Sequence, residues 1–87
     1  MAQGKRISTS IPDEAQSALK AVGAAARRAR LAAGEGQAQA AQRLGVHVQT
    51  IGRIEAGEPG VAVGHVFGML TLYGLGRQLL ALGAEEQ

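Results

Sequence analysis

The chain has 87 residues, a formal net charge of +2 and no cysteine. Hydrophobic residues make up 46% of it, but 17 residues are alanine, and the only aromatics are Phe67 and Tyr73. This allows one small domain with a thin aliphatic core and excludes a disulfide framework, a Cys-type zinc site and a membrane-spanning run of about 18 apolar residues.

Residues 1–11 are polar and read as a flexible N-terminal arm; Lys5 and Arg6 lack the apolar run of a secretory signal. Ser10-Ile11-Pro12-Asp13-Glu14 reads as a helix start, with a Ser cap, Pro in the first turn and acids near the positive end of the helix dipole. Good helix formers continue to Ala33, and Ala15, Leu19, Val22, Ala26 and Ala29 mark one buried face. Gly34 is a natural stop, and Gly23 in the interior points to close packing there. Gln37–Leu44 is a short second helix ended by Gly45, and Val48–Ala56 a third ended by Gly57. Two short helices joined by a tight glycine turn predict a helix-turn-helix over 37–56. After the Glu58-Pro59-Gly60 loop, Val61–Tyr73 carries Val63, Val66, Phe67, Leu70 and Tyr73 at helical spacing. Gly74-Leu75-Gly76 breaks that run, Arg77–Leu82 forms a last helix, and Gly83–Gln87 reads as a frayed tail. The expected fold is all-α, with five helices in one domain over 12–83.

Charge is unevenly spread. Residues up to Arg53 sum to +5, and residues from Ile54 onward sum to −3. A basic half joined to an acidic, aliphatic half suggests one surface for a polyanion and another for packing. His47 and His65 lack carboxylates at ligand spacing, and no phosphate loop or Ser/His/Asp cluster is present. No metal, cofactor or catalytic activity is expected. The absence of cysteine fits a reducing, cytoplasmic location.

The resemblance becomes specific at residues 22–57. Arg30, Gly34, Gln37, Ala41, Gly45-Val46, Ile51, Ile54 and Glu55-Ala56-Gly57 follow one another as in the Cro/phage-repressor (XRE) type of helix-turn-helix regulator. The following PGVAVGHVFGMLTLYGL is similar to a subgroup that includes HipB-like antitoxins. The resemblance implies a lambda-repressor-like DNA-binding domain with the helix 48–56 in the major groove of double-stranded DNA. It implies base contacts from Val48, Gln49 and Arg53, which suit a thymine methyl, adenine and guanine respectively. Phosphate contacts are expected from Gln37, Thr50, Arg43, Arg28 and His47. Lys5 and Arg6 could reach the DNA as an arm. Arg30 and Glu55 occupy the family's structural ion pair, and Ala41 lets the second and third helices cross closely.

Four positions depart from the family pattern. Glu35 stands in place of an aliphatic residue, Gly36 and His47 in place of Ser/Thr caps, and Ala40 in place of Leu. Capping losses of about 0.5–2 kcal/mol and a smaller core side chain imply a marginally stable motif. His47 can serve as a neutral capping residue or meet a phosphate.

The helices after residue 60 hold more large aliphatics than one buried face needs. The surplus predicts a homodimer through Val66, Phe67, Leu70, Tyr73, Leu79 and Leu80. Two function classes follow. One is a dimeric repressor reading a palindromic operator. The other is an antitoxin or antiactivator that covers a partner protein, such as a toxin, with the last two helices.

Overall fold

The computed structural model describes residues 11–84. The expected arm, including Lys5 and Arg6, lies outside the described residues apart from Ile11, as does the end of the expected tail. Five helices follow in order: α1 (Asp13–Ala32), α2 (Gln37–Leu44), α3 (Val48–Ala56), α4 (Val63–Leu72) and α5 (Gly76–Ala84). No strand occurs among the described residues, so the all-α expectation holds.

Local chemistry sets the boundaries. Pro12 is at the N-cap rather than in the first turn, and Asp13 and Glu14 follow it at the positive end of α1. The predicted helix 61–73 is shorter: Val61 lies in the loop and packs on the core, Ala62 is extended at ψ 132°, and Tyr73 is the C-cap. The last helix is longer than the predicted 77–82, because Gly76 joins its start and Gly83 continues it. Between α2 and α3 the turn is closed by Gly45 at φ +77°, whose N–H donates to the Ala41 carbonyl at 2.8 Å. A side chain at that φ would be strained, so this turn calls for glycine.

The backbones of α1 and α3 approach closely where the helices cross. A Cβ on Gly23 would meet the backbone carbonyl oxygens of Ile54 and Glu55, the latter at 2.6 Å. A Cβ on Gly57 would lie 2.6 Å from Lys20 Cα. Both glycines are buried, and the missing Cβ atoms let the two helix backbones touch. The buried residues of α1 are Gly23, Ala26 and Arg30. The apolar stripe read from the sequence lies beside this line, and only Ala26 is common to both. A period of apolar residues cannot reveal a buried stripe that includes a glycine and an arginine.

The core is as thin as the composition implies. Ala26, Ala40, Ala41, Ile51, Ile54, Met69 and Leu70 are buried, and among the described residues only Ile51 and Met69 are large side chains fully out of solvent. Ala40 is completely buried, so its small side chain is part of the close packing rather than a surface substitution. Leu44, Val46, Val66 and Leu79 pack around this center.

Gly23→Ala offers a sign test of the crossing. Helix propensity alone favors Ala by about 1 kcal/mol. Backbone contact at Ile54 and Glu55 reverses that sign, so the variant should lose more stability than the propensity gains, and its midpoint in urea unfolding should fall. A raised midpoint would show that α1 and α3 can separate without cost.

Candidate nucleic-acid interface

Arg30 and Glu55 meet as the sequence pattern implies. Arg30 Nε donates to Glu55 Oε2 at 2.6 Å and Nη2 donates to Oε1 at 3.0 Å. The two side chains are only 6% and 4% exposed, so the bidentate pair is buried between α1 and α3. The third arginine nitrogen, Nη1, donates to the backbone carbonyl of Glu35 at 2.8 Å. Gln37 Nε2 donates to Glu55 Oε1 at 3.0 Å and brings the first residue of α2 into the network. Among the described residues, no buried side-chain nitrogen or oxygen lacks a partner.

The electrostatics follow from this geometry. The hydrogen bond to Glu55 raises the Arg30 pKa, against a smaller opposing effect of burial. For Glu55, burial is the largest influence and disfavors the charge. Hydrogen bonds from Arg30 and Gln37, with the charges of Arg30 and Arg27, together outweigh it and hold the carboxyl below its usual range. Arg27 is thus close enough to act on this site, which the sequence reading did not anticipate; it lies three residues before Arg30 and so shares its side of α1.

Helix α3 projects from this support. His47, Val48, Gln49 and Arg53 are exposed, Thr50 is half-buried, and His47, Gln49, Thr50 and Arg53 line one shallow concavity. Gln49 and Arg53, of the expected base-reading residues, therefore share one surface with the expected α3 phosphate residues, while Val48 is exposed outside that concavity. His47 has extended backbone at the N-cap but makes no side-chain capping bond, which corrects the capping reading. The first amides of α3 are left without a side-chain cap, where a helix start favors an anion. Gly36 likewise supplies no side-chain cap to α2; instead its own N–H donates to Gln39 Oε1 at 2.9 Å.

The other phosphate candidates stand differently. Gln37 is exposed but already holds Glu55. Arg28 is exposed on α1, and no side-chain hydrogen bond or ion pair joins it to α2 or α3 among the described residues. Arg43 donates through Nη1 to Glu35 Oε2 at 2.8 Å and lies 5.8 Å from the center of the Tyr73 ring. Tyr73 Oη donates to the other oxygen of Glu35 at 2.7 Å. Burial, then the bond to Glu35, pushes the Tyr73 hydroxyl above its usual pKa. Glu35, read from sequence only as a departure, thus joins the α1–α2 connection to the end of α4. A lone acid in a short loop carries no sequence signal of such a role.

A second surface lies along α1, α4 and α5. Ala18, Leu19, Val22, Val66, Leu79 and Leu82 are among the side chains that line an apolar groove with Leu70 at its floor. Of the six expected interface residues, Phe67 and Leu80 are exposed, at 47% and 76%, and Val66 and Leu79 are half-buried. Leu70 is 5% exposed and belongs to the core of its own chain, and Tyr73 turns its hydroxyl inward to Glu35. Val63 and Leu82, at 64% and 73% exposed, belong to the apolar surface instead. No helix among the described residues is long and apolar enough to cross a membrane.

A family described as "Helix-turn-helix domain" matches residues 21–82, from the middle of α1 into α5. No curated protein and no solved structure gives a significant match.

Glu55→Gln tests the ion pair. It retains the shape but leaves Arg30 as a buried charge without its counterion, at an expected cost of about 3–5 kcal/mol. The folded Glu55 pKa is depressed, so its contribution is complete above the unfolded value of about 4.3 and is lost as pH falls through the lower folded value. Thermal unfolding followed by circular dichroism should show a lower Tm for the variant at neutral pH and a flatter decline in acid. Equal Tm values at pH 7 would remove the pair from the account of stability.

Proposed function

The chain belongs to the helix-turn-helix domain family, and from that premise we propose that it is a sequence-specific, dimeric DNA-binding regulator of transcription of the XRE type, acting as a repressor in the cytoplasm. The observation that carries this reading is the exposed face of α3 and its N-cap, where His47, Gln49, Thr50 and Arg53 share one concavity. Gln49 suits adenine and Arg53 suits guanine, each through two hydrogen bonds, and Val48, 43% exposed, suits a thymine methyl. The uncapped start of α3, with His47 and Thr50, suits one backbone phosphate, and the start of α2 at Gln37 suits another. Arg28 adds positive charge on α1. The basic half of the chain carries this face, which favors a polyanion.

The dimer is supported by the apolar surface of α4 and α5. Val63, Phe67, Leu80 and Leu82 remain exposed in an 8.9 kDa chain whose core contains few large side chains. A two-fold contact there would repeat the α3 surface at a spacing of about 34 Å, one turn of DNA, and suit a palindromic operator. The same groove supports the second reading, in which a toxin or another regulatory protein covers α4 and α5 and the chain serves as antitoxin or antiactivator.

Selection of bound duplexes from a random pool should yield a palindrome whose binding weakens steeply with salt. Gln49→Ala and Arg53→Ala should each lose about 1–3 kcal/mol of discrimination against the wrong base. Indifference to both substitutions would favor the protein-partner reading. Light scattering should give twice the 8.9 kDa monomer mass, and Leu80→Glu should give the monomer with unchanged helicity. A monomeric parent chain would overturn the dimer.

A further inference from the structure

Resting on the DNA-binding reading, we propose that Glu35 is a built-in competitor of DNA phosphate for Arg43, and so sets affinity without touching sequence preference. Arg43 lies in the last turn of α2. Its guanidinium reaches back to Glu35, two residues before Gln37 begins that helix. This places the cation beside the start of α2, where backbone amides and the helix dipole favor a phosphate.

The competitor is held in place. Tyr73 Oη holds one carboxylate oxygen at 2.7 Å, and Arg43 Nη1 binds the other at 2.8 Å. Arg30 fixes the Glu35 backbone through its carbonyl at 2.8 Å. The Glu35 side chain is 18% exposed, whereas that of Arg43 is 48% exposed. The acid is thus the more enclosed and more fully bonded member, and the arginine the more exposed one. Among the described residues, only Nη1 of Arg43 has a partner, leaving other donors on the guanidinium to face an approaching phosphate. A phosphate that takes Arg43 must share the guanidinium with this carboxylate or displace it, which lowers affinity equally for every sequence.

Glu35→Gln removes the charge and keeps an oxygen for Tyr73. It should tighten binding at about 0.1 M salt by about two- to tenfold, in keeping with a partly exposed ion pair. Operator and random duplexes should gain equally. The slope of log K against log salt should steepen by up to about 0.9, the value of one phosphate contact. Glu35→Leu, which needs no polar partner, should give the same gain, so the test does not depend on one variant folding well. In an Arg43→Gln background both gains should fall to less than half.

Unchanged affinity and slope in both Glu35 variants would overturn the competition. So would a gain of equal size with and without Arg43, because the carboxylate would then act by repulsion alone. Specificity is the separate readout for the underlying reading. If the parent chain shows no preference for any duplex and Gln49→Ala and Arg53→Ala change nothing, the DNA-binding reading fails and this proposal with it.

Discussion

The Arg30–Glu55 pair lies where α1 crosses α3, with both side chains almost fully enclosed. A charge in such a place is costly unless it is paired and its remaining hydrogen-bonding groups are satisfied. Here the carboxylate has two bonds from Arg30 and one from Gln37, and the third arginine nitrogen donates to the Glu35 carbonyl. The pair thereby ties three helices and one loop into a single arrangement. The angle at which α3 projects its exposed face depends on it, since Glu55 lies on α3 itself, just two residues beyond Arg53. The supporting side and the exposed side belong to one nine-residue helix.

Close backbone approach makes this arrangement possible in so small a domain. Gly23 and Gly57 remove the Cβ atoms that would hold α1 away from α3. Buried Ala26, Ala40 and Ala41 likewise occupy little volume, so tight contact replaces the bulk that larger side chains supply elsewhere. The aliphatic mass is concentrated in α4 and α5. Met69 and Leu70 close the core, while α5 has no buried residue of its own. The molecule is consequently divided into a polar, network-held half and an apolar half whose outer face is open. Tyr73 joins the two, because it caps α4 and donates its hydroxyl to Glu35 beside α2.

Much of this was legible in the chain. Glycine and proline positions placed five helices, since helix ends depend on local backbone freedom and capping. Two short helices joined by a tight glycine turn identified the helix-turn-helix, and the family resemblance at Arg30 and Glu55 paired the correct charges. The limits of α4 and α5 were less legible, because Val61 and Tyr73 are as apolar as the helix between them and Gly76 and Gly83 look like breaks. The apolar stripe of α1 missed Gly23 and Arg30, whose burial comes from a crossing and an ion pair rather than from hydrophobicity.

By itself, then, the sequence determined the helices, their order, the thin alanine-rich core and the motif that places α3 on the surface. These follow from local propensity and short-range spacing. Only the tertiary structure decided how the polar side chains are shared. Gln37 turns to Glu55, Arg43 to Glu35, and Tyr73 to Glu35 across 38 positions of chain. It also decided which aliphatics are core and which are surface, sending Leu70 inward and leaving Phe67 exposed. Such choices depend on which groups meet when distant helices pack, and no local pattern encodes that meeting.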